Sequence, residues 1–247
     1  MKQFRKTAVL AQRTLKEMLR DPLTLFFGLA FPILILLLLS LIQSHIPVDM
    51  FCIEQLAPGI VVFGQSFLSL FGALLIARDR STSFLMRLYA APVTALNFLL
   101  GYLLPLLPMA AIQTLLCYAV AMVLGLSFSV RILYAVLMAV PLSLFFVSLG
   151  LLCGSVLNVK QVGGICGALL TNLCAWLSGA WFDLDLVGGV FRKIAYALPF
   201  VHAVELERAI LAGENGGILS HLLWVLAYAA VATVAAIVLF LRQMRRQ

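Results

Sequence analysis

Charge is what this sequence has least of. Only 11% of its 247 residues are Asp, Glu, Lys or Arg, against 64% hydrophobic residues and a mean hydropathy of +1.11. Such a chain falls outside the soluble range and among polytopic membrane proteins. Uncharged stretches long enough to cross a bilayer, about 20 apolar residues each, lie at 24–43, 57–77, 97–125, 132–157, 162–182 and 218–241. The remaining residues leave no room for a separate soluble domain. The expected fold class is an all-α polytopic membrane protein, one domain of six transmembrane helices over 1–247.

The spans themselves contain no Asp, Glu, Lys or Arg. Proton- and ion-coupled carriers, rotary motors and voltage sensors place such groups inside the bilayer, so those mechanisms are excluded for this chain alone. A protein that moves cargo without them draws its energy from elsewhere or works passively.

Motifs of chemistry are missing as well. The sequence has no GxxxxGK[ST] phosphate loop, no HExxH and no GxSxG. ATP binding by the chain itself and hydrolytic catalysis therefore find no support, and the chain is read as a non-enzyme. His45, His202 and His221 fall at or beyond the outer boundary of the spans. His202 and Glu205 share a helix face, but two ligands do not complete a zinc site, and no metal is expected. The five cysteines form no CxxC pair and read as small apolar residues. Gly163, Gly164 and Gly167 include a GxxxG spacing; close packing within the chain is the expected use, with a dimer seam as the alternative.

The charges that are present are unevenly distributed. Lys2, Arg5, Lys6, Arg13, Lys16, Arg20, Arg78, Arg80, Arg87, Lys160, Arg242, Arg245 and Arg246 all fall on one side of a six-span topology, thirteen of the 17 basic residues. The positive-inside rule makes that side cytoplasmic, with both termini there. The net charge of +7 is an orientation signal and does not indicate nucleic acid as a partner. Residues 2–21 are too polar for a signal-peptide core. Phe4, Ala8, Ala11, Leu15 and Met18 recur at helical spacing opposite Lys6, Arg13, Lys16, Glu17 and Arg20, which predicts an amphipathic helix in the cytoplasmic headgroup layer, ended by Asp21-Pro22. A plain topogenic basic tail is the alternative. In the third span, Pro105 and Pro108 are expected to kink the helix.

One cytoplasmic connection is more than a connector. At 78–94 the chain places Phe84, Leu85, Leu88 and Tyr89 on one side of a turn and a half, with Arg80 and Arg87 beside them. A basic loop attracted to anionic lipid would need only the arginines. Asp79-Arg80, Phe84-Leu85, Arg87-Leu88 and Ala91-Pro92-Val93 together resemble the cytoplasmic segment between the second and third spans of type-2 ABC exporter permeases, the family that includes the daunorubicin-resistance-like permeases. The family's frequent acidic residue and glycine are replaced by Ser81 and Ser83. In the external segment 183–217, Pro199, His202, Glu205, Arg208 and Gly213 resemble the family's Pro-x-x-x-Ala-Val-Glu-x-x-Arg signature, with Leu198 where Asn is frequent and His202 at an often aromatic position. The bland reading of that segment is an interfacial helix whose Glu205 and Arg208 pair for about 0.2–0.5 kcal/mol.

The resemblance implies a half-transporter. Asp79, Arg80, Phe84, Leu85, Arg87, Leu88 and Pro92 would couple the chain to a separate ABC ATPase subunit that carries the ATP and Mg, so no cofactor is expected on this chain. A second permease chain, identical or not, and membrane lipid complete the expected partners, in a bacterial inner (plasma) membrane. The implied activity is ATP-driven export of a hydrophobic or amphipathic substrate. The alternatives are a passive channel or facilitator without an ATPase and, more remotely, a lipid-modifying enzyme built on Asp183 to Glu214.

Overall fold

The computed structural model describes residues 2–46, 51–82 and 95–244, and every regular element among them is helical. The chain opens with α1, Lys2–Arg20, ended where Asp21 precedes Pro22. Helix α2, Pro22–His45, starts with Pro22 in its first turn and the Asp21 carboxylate accepting from the Leu23 amide, and it passes through a wide π turn at Phe26–Ala30. Then follow α3 (Ile53–Ser81), α4 (Ala95–Val123) and α5 (Val130–Val156). A segmented helix α6 runs through Val159–Val162, a π stretch Gly163–Leu170 and Thr171–Leu177. Two short helices, α7 (Leu184–Val187) and α8 (Gly189–Ala197), lead into α9 (Pro199–Ala212) and the last long helix α10, Asn215–Met244.

Five of these, Pro22–His45, Ile53–Ser81, Leu96–Val123, Val130–Val156 and Gly216–Arg242, are long and apolar enough to cross a membrane. The sixth expected span, 162–182, takes the form of α6. Its glycines fall in the π stretch, and its helix ends at Leu177 ahead of a turn with Gly179 at φ +69°. Asn158 and Gln161 form a reciprocal capping box, which starts α6 sharply after α5. The second span is longer than its apolar stretch: α3 continues through Arg78, Asp79, Arg80 and Ser81 before Thr82 turns extended. Pro105 and Pro108 lie inside α4, which runs on through both.

Helix α3 is the centre of the molecule, buried almost without interruption from Leu56 to Ala77, whereas α2 and α10 show Leu34, Leu38, Leu41, Val231 and Val234 to the surroundings. The closest approach in the core is between α3 and α5. A Cβ on Gly150 would stand 2.4 Å from the Ser69 carbonyl oxygen, and one on Gly154 would stand 2.7 Å from that of Ala73. This Gly-x-x-x-Gly pair lets two backbones touch. The spacing at Gly163 and Gly167 does not serve that purpose: a Cβ on Gly163 or Gly164 would meet nothing within 4 Å, and one on Gly167 would make ordinary contact with Leu70. The expectation of close internal packing at that site is corrected accordingly. Aromatic rings join α2 to α3, with Phe27 stacked on Phe67 at 5.7 Å and Phe31 edge-on to Phe67 at 5.6 Å.

The outer segment is no surface loop. Helix α9 lies against α3, α5 and α10, and Phe200, Val201, Ala203, Val204 and Leu206 are buried. Pro199 sits in the first turn after extended Leu198, and Gly213 closes the helix in the left-handed conformation at φ +79°.

Candidate functional site

Two regions hold the residues singled out by the sequence, one at each end of α3. At the C-terminal end of α3, Asp79 is buried and fully engaged. Arg13 of α1 donates to both its oxygens, Nη2 to Oδ1 at 2.6 Å and Nη1 to Oδ2 at 2.7 Å, and the hydroxyl of Tyr102 on α4 donates to Oδ2 as well. The fork of the guanidinium matches the carboxylate, and the hydrogen bonds to Asp79 raise the pKa of Arg13 further above its ordinary value. Glu17, one turn along, also takes a hydrogen bond from Arg13 at 3.2 Å; partial burial raises its pKa. Arg78 reaches Asp21 at 3.6 Å. On the neighbouring side, Arg80 Nη1 donates to the carbonyls of Gly154 at 2.8 Å and Leu157 at 3.3 Å, satisfying the last turn of α5.

Helix α1 is thus not merely laid on the membrane. Thr7 donates to Asn97 at 3.2 Å, Thr14 and Met18 are buried, and Leu10 rests on Gly101, so one face of α1 is packed on α4. Met18, expected on the lipid face, belongs to this internal face, while Phe4, Leu15 and Leu19 point outward. Of the candidate coupling residues, Asp79 and Arg80 are therefore held by α1, α4 and α5 of the same chain. Phe84, Leu85, Arg87, Leu88 and Pro92 lie outside the described residues.

At the N-terminal end of α3, Arg208 does more than pair with its neighbour. Its Nη1 donates to Glu205 at 3.2 Å, while Nη2 donates to the carbonyls of Gly179 at 3.0 Å and Gln55 at 3.3 Å, tying α9 to the turn after α6 and the first turn of α3. Arg131, at the start of α5, caps the other end of α9 by donating to Ala212 O at 2.8 Å and Leu211 O at 3.2 Å. Gly213 is required twice over, since a Cβ there would lie 2.4 Å from the Arg131 guanidinium carbon as well as demanding a left-handed backbone. His202 places its Nε2 against the Tyr196 carbonyl at 3.0 Å and its Nδ1 2.9 Å from Nδ1 of His221, with Trp224 stacked on its ring at 5.0 Å. Burial lowers its pKa, which favours the neutral ring with Nε2 as donor. Among the described residues no group of three or more His, Cys, Asp or Glu gathers as a metal site.

Glu207 was not singled out by sequence reasoning. It is completely buried, its Oε2 accepts a 2.7 Å hydrogen bond from Tyr118 on α4, and its Oε1 has no partner among the described residues. Burial pushes its pKa up to about 8. The signal that could have found it is periodicity: Glu205 and Glu207 are two residues apart, so on one helix they face opposite ways.

Among the described residues neither end of α3 presents a nucleophile with a base, and Asp79, Arg80, Arg131 and Arg208 are spent on joining helices to one another. Residues 5–212 match the family described as ABC-2 type transporter. The chain belongs to that family. An ABC-2 membrane domain is a transmembrane permease component and not a nucleotide-binding domain, and the family works in association with an ABC ATPase. The long apolar helices fit a multi-pass membrane protein. No curated protein matches the chain.

Proposed function

We propose that this ABC-2 permease is the membrane half of an ATP-driven exporter that moves a hydrophobic or amphipathic substrate out of the cytoplasm of a bacterial cell. ATP and Mg are held by a separate ATPase subunit seated on the segment 81–89, with Phe84, Leu85 and Leu88 as the apolar seat and Arg87 beside them. Two permease chains form the pathway between them. Closure of the ATPases displaces the segment, and α3 and α4, which flank it, move with it as rigid bodies.

The observation that carries this reading is the anchoring of the segment's root. Asp79 and Arg80, the last charged residues of α3, are bonded to α1, α4 and α5. A push applied just beyond Thr82 is therefore taken up by four helices together. For Asp79 and Arg80 the role is transmission within the permease, leaving direct contact with the ATPase to the apolar residues that follow.

The test is Leu85→Asp with Leu88→Asp. Loss of the ATPase subunit on co-purification, with the permease still inserted, is the expected result. Unchanged assembly and transport would remove the seat from this segment, and transport by the purified permease without nucleotide would establish a passive facilitator instead.

A further inference from the structure

The exposed edge of α1 carries charge that nothing among the described residues answers. Arg5, Gln12, Lys16 and Arg20 form one exposed stripe, and Lys16 and Arg20 make no ion pair among the described residues. The nearby acids are already committed: Glu17 to Arg13, and Asp21 to the Leu23 amide, the Thr24 hydroxyl and Arg78. Residues 83–94 contain no acid that could supply a partner. Lys16 and Arg20 border a shallow hollow of about 750 Å³.

Next to this stripe, on the same turns of α1, Leu15 and Leu19 line the mouth of a different opening. It is a narrow slot of about 80 Å³ between α1, the start of α2 and α4, walled by Leu25, Leu29, Pro105 and Ile112 and without a polar surface atom. Leu15, Leu19 and Ile112 are all partly or largely exposed, so the slot opens to the bilayer and not to the interior. It lies within two turns of the start of α2 and beside Pro105 to Ile112 of α4.

We propose that this edge of α1 is a binding site for an anionic phospholipid of the cytoplasmic leaflet, its phosphate on Lys16 and Arg20 and the upper part of one chain in the slot beneath. Two unpaired cations match a headgroup with net negative charge better than a zwitterionic one, whose own ammonium would have to find room among them. The occupant would bridge α1 to α2 and α4 on the lipid side, opposite the Arg13–Asp79 contact. The inference rests on the sidedness proposed above and not on the ATPase partnership, so it is tested on the permease chain alone.

The experiment reconstitutes the full-length chain in nanodiscs of phosphatidylcholine mixed with phosphatidylglycerol, and measures the lipids retained after detergent washing by mass spectrometry. The wild type should retain phosphatidylglycerol preferentially. Lys16→Gln with Arg20→Gln, both exposed, should lower that preference roughly thirtyfold, at about a fivefold loss for each cation near a charged surface. Ile112→Trp fills the slot from the lipid side and should reduce retention of either lipid. Equal retention of the two lipids by the wild type, or unchanged selectivity and amount in both variants, would overturn the site. So would full displacement of the lipid by inorganic phosphate, which would reduce it to a simple anion contact.

Discussion

Arg13 and Asp79, 66 positions apart in sequence, meet through two hydrogen bonds of 2.7 and 2.6 Å and so join the N-terminal helix to the inner end of the central one. Asp79 is buried, and Arg13 is about one-third exposed. Removing the arginine leaves a carboxylate in the protein with only Tyr102 and costs about 3 kcal/mol, the low end for a buried pair because water still reaches the guanidinium. Arg13→Ala should therefore lower the melting temperature in detergent and raise the ATP consumed per substrate moved. Arg13→Asp with Asp79→Arg should recover part of both. Equal coupling in the single variant would show that α1 is only a tether.

Glu207 should make stability depend on pH in an unusual direction. Its pKa is raised by burial from 4.5 to about 8 in the folded protein, so the fold favours the protonated form. The stability associated with that form is complete below about pH 4.5 and is lost as pH rises toward 8. Thermal unfolding of the wild type should weaken across that window. Glu207→Gln, neutral at every pH, should flatten the profile and melt higher than the wild type at pH 8. An unchanged slope in the variant would assign the pH dependence to another group.

The end of α9 allows a double-mutant cycle. Gly213→Ala should destabilise through the left-handed backbone, about 1–2 kcal/mol, and through collision with the Arg131 guanidinium. Arg131→Ala removes the collision and the cap together. In that background Gly213→Ala should cost only the backbone part, so the two changes should be less than additive in chemical or thermal unfolding.

Gly150 and Gly154 should respond to an added methyl in the opposite way from Gly163 and Gly164. Gly150→Ala and Gly154→Ala would each drive a methyl into an α3 carbonyl and force α5 away, lowering stability and folded yield. Gly163→Ala and Gly164→Ala meet open space, and an added methyl there favours the helix, by up to about 1 kcal/mol at each position. Parallel melting curves of the four variants decide the matter.

The layout of long apolar helices was legible in the sequence because it depends on local composition. Pro199 and Gly213 likewise announced the ends of α9 through backbone rules that act on single residues. What local reading could not supply was which face of an element meets which neighbour. Asp79 looked like a surface charge because Arg13 and Tyr102 are distant in sequence. Met18 was grouped with the lipid face because its hydrophobicity is the same whether it meets lipid or α4. Gly150 and Gly154 carried a readable spacing, yet only the position of α3 distinguishes them from Gly163 and Gly167. The capping box of Asn158 and Gln161 was open to sequence reading and explains why α6 begins so close to the end of α5.

Helix α3 is gripped at both ends. Asp79 is held by Arg13 at the inner end, and the Gln55 carbonyl is held by Arg208 at the outer end. The 24 residue steps from Gln55 to Asp79 make a rod about 36 Å long at 1.5 Å per residue. A stiff rod with a fixed grip at each end acts as a length gauge: if it slides along its axis, the contacts at the two faces are strained together. The two ends of the central helix are therefore in mechanical register, so a displacement at one end is carried to the other.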